Sequence, residues 1–140
     1  YMINYPLIVA GEKLVVTCVA VGNPHVVIFV DDFDFDWQRI GWKIERHRLF
    51  PNRTNVEFVK VINHRRIRVV EWERGVGATG SSGTGAAAAV CTGVMTGLTD
   101  RRCEVVFEVG SLFVEWREDN NTIEVHGPVE FISTSTFEFI

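Results

Sequence analysis

The sequence is short of the residues that mark specialised frameworks. Its three cysteines, Cys18, Cys91 and Cys103, are odd in number and widely spaced, which excludes a disulfide scaffold and a zinc pattern. Each sits in an apolar run as a small hydrophobe, and reduced thiols fit a cytoplasmic protein. No apolar run approaches the ~18 residues of a membrane span, so no membrane partner is expected. No signal peptide is visible, which again points to the cytoplasm. Basic charge is scarce too: 14 Lys and Arg face 18 Asp and Glu, a net charge of −4, which argues against nucleic acid as a partner. An initial Met is missing, and a chain opening on Tyr1 reads as a piece of something longer.

What is present is a globular composition. Hydrophobic residues make up 46% and charged residues 23%, and 10 Phe with 4 Trp exclude disorder as the main state. A single domain over residues 1–140 is expected, long enough to bury roughly two thirds of its unfolded surface.

Strand patterns dominate. Lys13 to Val21 is apolar and β-branched, Gly22-Asn23-Pro24 breaks it, and His25 to Val30 resumes. Asp36 caps an expected helix whose apolar stripe is Trp37, Ile40 and Ile44; Pro51 ends the segment. Asn55 to Ile62 alternates, with Val56 and Phe58 on one face and Glu57, Val59 and Val61 on the other. It forms a hairpin with Ile67 to Trp72 through Asn63 and His64. Arg102 to Val109, Leu112 to Trp116 and Thr122 to Val125 read as further strands. The tail from Glu130 to Ile140 alternates as well. Thr84 to Leu98 is apolar or small on every side, as a buried helix is. The fold class expected is α+β: seven or so strands in a curled, largely antiparallel, barrel-like sheet wrapped round that central helix.

Gly75-Val76-Gly77-Ala78-Thr79-Gly80 spells the dinucleotide fingerprint literally. Against that reading, a polar stretch from Ser81 to Gly85 separates the glycines from the alanines, and Glu73-Arg74 stands where a tight strand-to-helix turn belongs. No lysine occurs in the loop, which excludes a Walker-type phosphate site. The loop's physical chemistry favours an anion: Gly83, Thr84 and Gly85 leave the positive end of a helix uncovered. A flexible glycine-serine connector is the other reading.

Four motifs in order resemble the diaminopimelate epimerase family: Gly22-Asn23-Pro24-His25, Asn55-Val56-Glu57-Phe58, Glu73-Arg74-Gly75-Val76-Gly77 and Ser82-Gly83-Thr84-Gly85-Ala86. The ending Gly127-Pro128-Val129-Glu130-Phe131 resembles that family's closing motif. The likeness covers the second half of the family's protein. It implies a cofactor-independent isomerase of amino-acid biosynthesis, on the route to lysine, with two pseudo-symmetric lobes and an amino-acid substrate between them. It also implies site residues. Asn23 and Asn55 would bind the substrate's distal end, and Glu73 and Arg74 its amino and carboxyl groups. Gly83 and Thr84 would hold the α-carboxylate, while His25 and Glu73 assist the acid–base pair. No cofactor and no metal are implied. The partner would be a second lobe or a second copy of the chain, as a homodimer, with residues 133–140 available as an exchange strand.

The sequence departs from the pattern where it matters most. The family places a catalytic cysteine directly before Gly-Thr-Gly, and here Ser82 stands there; Ala78 replaces a common Glu. An alcohol is a far weaker acid than a thiol of pKa ~8.5, so its conjugate base is scarcely populated. Cys91 is no substitute, two helical turns further on. Two alternatives follow from a different starting point: a carboxylate-binding lobe without catalysis, and a dinucleotide enzyme using the Gly75 loop.

Overall fold

In the computed structural model, residues 2–127 and 131–139 are described. Among them the chain forms eleven strands and two helices. It opens with a hairpin of β1 (Tyr5–Val9) and β2 (Glu12–Ala20). The linking residues Ala10 and Gly11 both take positive φ, 52° and 80°, the twist a two-residue hairpin needs. β3 (Pro24–Phe29) returns along β2, and α1 (Trp37–Glu45) then crosses the outside of the sheet. Asp36 caps α1, its side chain accepting from the Arg39 N–H.

β4 (Asn55–Asn63) lies parallel to β3 and antiparallel to β5 (Arg66–Glu73). Three-residue β6 (Gly77–Thr79) folds back on β5, and α2 (Gly83–Met95) follows. β7 (Arg102–Phe107) runs parallel to β5, then β8 (Gly110–Trp116), β9 (Thr122–His126) and β10 (Phe131–Thr136) meander antiparallel. β11 (Glu138–Phe139) pairs with β2 at Val19 and Ala20. The sheet order is β1-β2-β3-β4-β5-β7-β8-β9-β10, so the sheet curls until its tail reaches back to β2. Residues 133–139, expected as an exchange strand, pair within this chain; Pro128, Val129, Glu130 and Ile140 lie outside the described residues.

Two cores flank the strands. The inner core packs Ala86 to Cys91 of α2 against Val19, Val27, Val59, Val69, Val105 and Ile123. Alanine is what allows it: a helix with a methyl surface lets strands approach from every side. The outer core gathers Leu7, Val16, Val26, Val56 and Phe58 beneath Ile44 of α1. Gly41 of α1 sits so close to Trp72 that a Cβ there would lie 2.7 Å from the Trp72 Cβ, so only glycine lets α1 settle on the sheet. Val16 to Val19 of β2, His25 to Ile28 of β3 and Asn55 to Val59 of β4 are therefore buried on both faces.

The sequence-based architecture matches this fold: a largely antiparallel sheet curled round a buried helix. β1 and β6 were outside the expectation, as was the parallel pairing of β3 with β4 and of β5 with β7.

Candidate active site

Strand alternation aims three polar side chains into the inner core. Val27, Val59 and Val69 face α2, so His25, Glu57 and Glu71, two residues along on β3, β4 and β5, turn the same way. Pairing sets their level: His25 lies opposite Asn55, and Glu57 opposite Glu71. His25 Nδ1 meets Glu57 Oε1 at 2.7 Å, and its Nε2 meets Asn23 Oδ1 at 2.7 Å. Thr79 donates to Glu71 Oε1 at 3.2 Å. All three side chains are buried, and among the described residues the Oε2 atoms of Glu57 and Glu71 find no donor outside each other's carboxyl. Burial pushes the Glu57 carboxyl up to about 8, a hydrogen bond from Glu71 holding it back somewhat. Burial, then the charge of Glu57, pushes Glu71 up to about 9. Burial also lowers His25 to about 4, the charge of Glu71 opposing the shift and Arg74 adding to it.

Directly above this cluster α2 begins. Ser82 is extended and caps it, its Oγ accepting from the Gly85 N–H at 3.0 Å; the Ser82 carbonyl takes Ala86 N–H at 2.9 Å. The N–H groups of Gly83 and Thr84 have no partner among the described residues, and a Cβ on Gly83 would meet nothing within 4 Å. Gly85 is a glycine for a different reason: a side chain there would collide with the Glu71 carboxylate.

The mouth of the site is stapled from below. Asn55 donates to the Pro24 carbonyl at 3.0 Å and accepts from the Arg74 N–H at 2.8 Å, so its amide binds two site loops together. Buried Glu45, at the end of α1, accepts from Trp72 Nε1 at 2.9 Å and from the Gly75 N–H at 2.8 Å, and pairs with Arg46 at 2.7 Å. Burial pushes this carboxyl up, but those hydrogen bonds and the Arg46 charge outweigh it and hold Glu45 below the ordinary carboxylate range. Glu45 therefore fixes the Glu73-Arg74-Gly75 turn. Beside it opens a cleft of about 720 Å³ lined by Asn23, Pro24, Phe50, Arg53 and Arg74.

Asn23, His25, Asn55 and Arg74 thus form one bonded constellation. Glu73 is half-buried at the end of β5, and among the described residues no hydrogen bond or ion pair joins it to His25. Ser82, Gly83 and Thr84 join the group through Gly85 and Glu71. Sequence reasoning missed Glu45, Glu71 and the Leu49–Arg53 wall of the cleft. Glu57 carried a signal, a charge on the same face as Val59 and Val61. The dinucleotide reading fails on geometry: Gly77–Thr79 is a strand folded back on β5, and α2 opens only at Gly83. The three thiols are buried; burial raises Cys18 and Cys103 to about 11 and Cys91 further, so none is a ready thiolate. No helix among the described residues is long and apolar enough to cross a membrane.

Residues 17–132 match the family described as diaminopimelate epimerase. Diaminopimelate epimerase of Rippkaea orientalis is 43% identical over 137 residues, covering 97% of this chain and 49% of the relative. That of Synechocystis is 42% identical over 138 residues, covering 98% of this chain and 50% of the relative. A crystal structure of a phenazine biosynthesis protein of the PhzF family from Bacillus anthracis superposes with a TM-score of 0.60 at 17% identity, over 79% of this chain and 38% of that one, a likeness of fold. The chain spans about half the length of the curated relatives it matches. On identity, coverage and the family match together, it belongs to the diaminopimelate epimerase family.

Proposed function

We propose that this chain is one lobe of a cofactor-independent epimerase that interconverts LL- and meso-diaminopimelate in the cytoplasm, on the route to lysine and peptidoglycan precursors. The observation that carries the reading is the open start of α2, whose Gly83 and Thr84 N–H groups have no partner among the described residues, within a chain matched by its family almost end to end. In this reading those donors and the helix dipole bind the substrate α-carboxylate. Arg74 and Glu73 reach its carboxyl and amino groups from the turn that Glu45 holds. Asn23 and Asn55 face the distal end, His25 and Glu73 assist the acid–base pair, and the Asn55 amide also keeps the Pro24 loop in register with Arg74.

Inversion removes the Cα proton on one face and returns a proton on the other, so a second group must come from a second lobe or a second copy of this chain. On this lobe the acid–base position belongs to Ser82. Its hydroxyl is a poor proton acceptor and is already engaged as the helix cap. That engagement favours a second reading, in which the lobe binds the amino-acid carboxylate and inverts it slowly or not at all. Exchange of residues 133–140 with the other lobe would require β11 to leave β2 and Ser133 to Thr136 of β10 to leave β9.

Solvent-deuterium incorporation into diaminopimelate by the full-length protein tests both readings. Slow exchange, raised about 10² to 10⁴-fold by Ser82→Cys, is the expected result. Binding without exchange in either protein would leave the carboxylate-binding lobe; no binding at all would refute both.

A further inference from the structure

Glu57 and Glu71 are carboxylates packed face to face in a dry core, and substrate binding gives neither of them a task. Glu57 is 0% and Glu71 1% exposed. They lie opposite each other on paired strands, and among the described residues each keeps an oxygen with no donor unless the other carboxyl carries a proton. Two buried anions side by side would repel strongly, and an unmet charge in such a place is far from the water that would solvate it. Something positive must stand between them, and the surroundings supply little. His25 reaches Glu57 from β3, Thr79 offers Glu71 a neutral hydroxyl from β6, and the start of α2 adds only a partial charge. Arg74 is near enough to act on His25, but among the described residues no Lys or Arg forms an ion pair with either glutamate.

A metal ion and a proton are the two candidates. The donor atoms of His25, Glu57 and Glu71 lie within 4.8 Å of one another, so a divalent cation has its ligands at hand. The spacing argues against it. Ligands about 2.1 Å from one ion stand roughly 3 Å or more apart. His25 Nδ1 and Glu57 Oε1 are 2.7 Å apart, the length of a direct hydrogen bond. A proton fits that gap. A protonated carboxyl also turns an acceptor into a donor, which is what two facing unpartnered oxygens lack.

We propose that Glu57 and Glu71 share a proton at neutral pH and that this pair positions the His25 imidazole, one ring nitrogen against Glu57 and the other turned to Asn23 at the cleft. The two glutamates are positioning residues. The shared proton stands on geometry alone, and its service to His25 rests on the epimerase reading. Gly85 belongs to the same device, since it leaves room for the Glu71 carboxylate under the first turn of α2.

The test uses the full-length protein with Glu57→Gln, Glu71→Gln and the double variant. Infrared spectra at neutral pH should show the carbonyl stretch of a buried protonated carboxylic acid, lost in the double variant. Glu71→Gln, which mimics the protonated form, should raise the melting temperature by about 5 °C at pH 9 and by less than about 1 °C at pH 5. The proton–nitrogen NMR pattern of His25 should change in Glu57→Gln, and the pH profile of deuterium exchange should shift with KM unchanged. If the double variant does not fold, the wild-type infrared band decides. No such band at neutral pH would overturn the proposal. So would zinc or manganese ions raising the melting temperature of the wild type but not of Glu71→Gln. An infrared band with no deuterium exchange would keep the shared proton while refuting the epimerase reading.

Discussion

The two ends of α2 are finished in opposite ways. At its C-terminal end the backbone is closed: the Gly97 N–H donates to Val94, Leu98 N–H to Gly93, and Thr96 Oγ to the Thr92 carbonyl. Gly97, at φ 76°, makes that reversal possible. Thr99 then packs against Gly93, and Cys103, Val105 and Ile67 complete an apolar wall. At the N-terminal end two N–H groups have no partner among the described residues, and the nearby inner face carries His25, Glu57 and Glu71 instead of valines. One helix in one core is thus sealed at one end and unfinished at the other. The unfinished end costs stability, and it coincides with the motifs that mark the family. The packed end of the helix lies away from the proposed site, and the open end lies at it.

Substitutions can sharpen that contrast, starting with the largest effect. Ile67→Ala, in the fully buried wall, should cost about 3 kcal/mol by denaturant unfolding, with the same loss at acid and alkaline pH. Gly85→Ala should cost about 2 kcal/mol, because the new methyl displaces the Glu71 carboxylate, whereas Gly83→Ala, facing open space, should cost nothing or stabilise slightly. Equal losses from the two glycine variants would contradict the packing described for Glu71. Ser82→Ala removes the helix cap and Gly97→Ala strains the closing turn; each should cost about 1 kcal/mol.

The polar end should also give the stability a pH dependence that the apolar end lacks. Glu57 and Glu71, as a coupled pair, hold their shared proton more tightly folded than unfolded. Their contribution is full below the ordinary carboxyl value of 4.5 and is lost as pH rises through about 8 to 9. His25 has the opposite sign: its folded pKa is lowered, so its contribution is present above 6.5 and lost as pH falls through about 4. Thermal unfolding from pH 4 to pH 10 should therefore show a decline on the alkaline side that disappears in the Glu57→Gln/Glu71→Gln double variant. A decline that survives would place its origin elsewhere.

Much of the architecture was legible in residue pattern. The all-apolar run after Gly83 could only be a buried helix, and a buried helix among strands dictates a curled sheet. Asp36 and the stripe Trp37, Ile40, Ile44 marked α1. β1 escaped because its hairpin turns on Ala10-Gly11, without the Asn or Asp that usually signals φ > 0. β6 escaped because three residues inside a glycine run carry no periodicity. The open helix start was readable from Gly83-Thr84-Gly85. The buried carboxyl pair was not, because it arises from strand register, which sets Glu57 opposite Glu71 across a hairpin whose pairing no local pattern fixes. Glu45 was hidden likewise: its partners Trp72 and Gly75 are 27 and 30 residues away.

The most direct test of the difference between the helix ends is an NMR titration of the full-length protein with meso-diaminopimelate, following backbone amides at both ends of α2. The account predicts that the Gly83 and Thr84 amides shift most, with Arg74 and Asn23 following, while Thr96, Gly97 and Leu98 stay still. Unmoved Gly83 and Thr84 amides, or shifts confined to the C-terminal end of the helix, would contradict it.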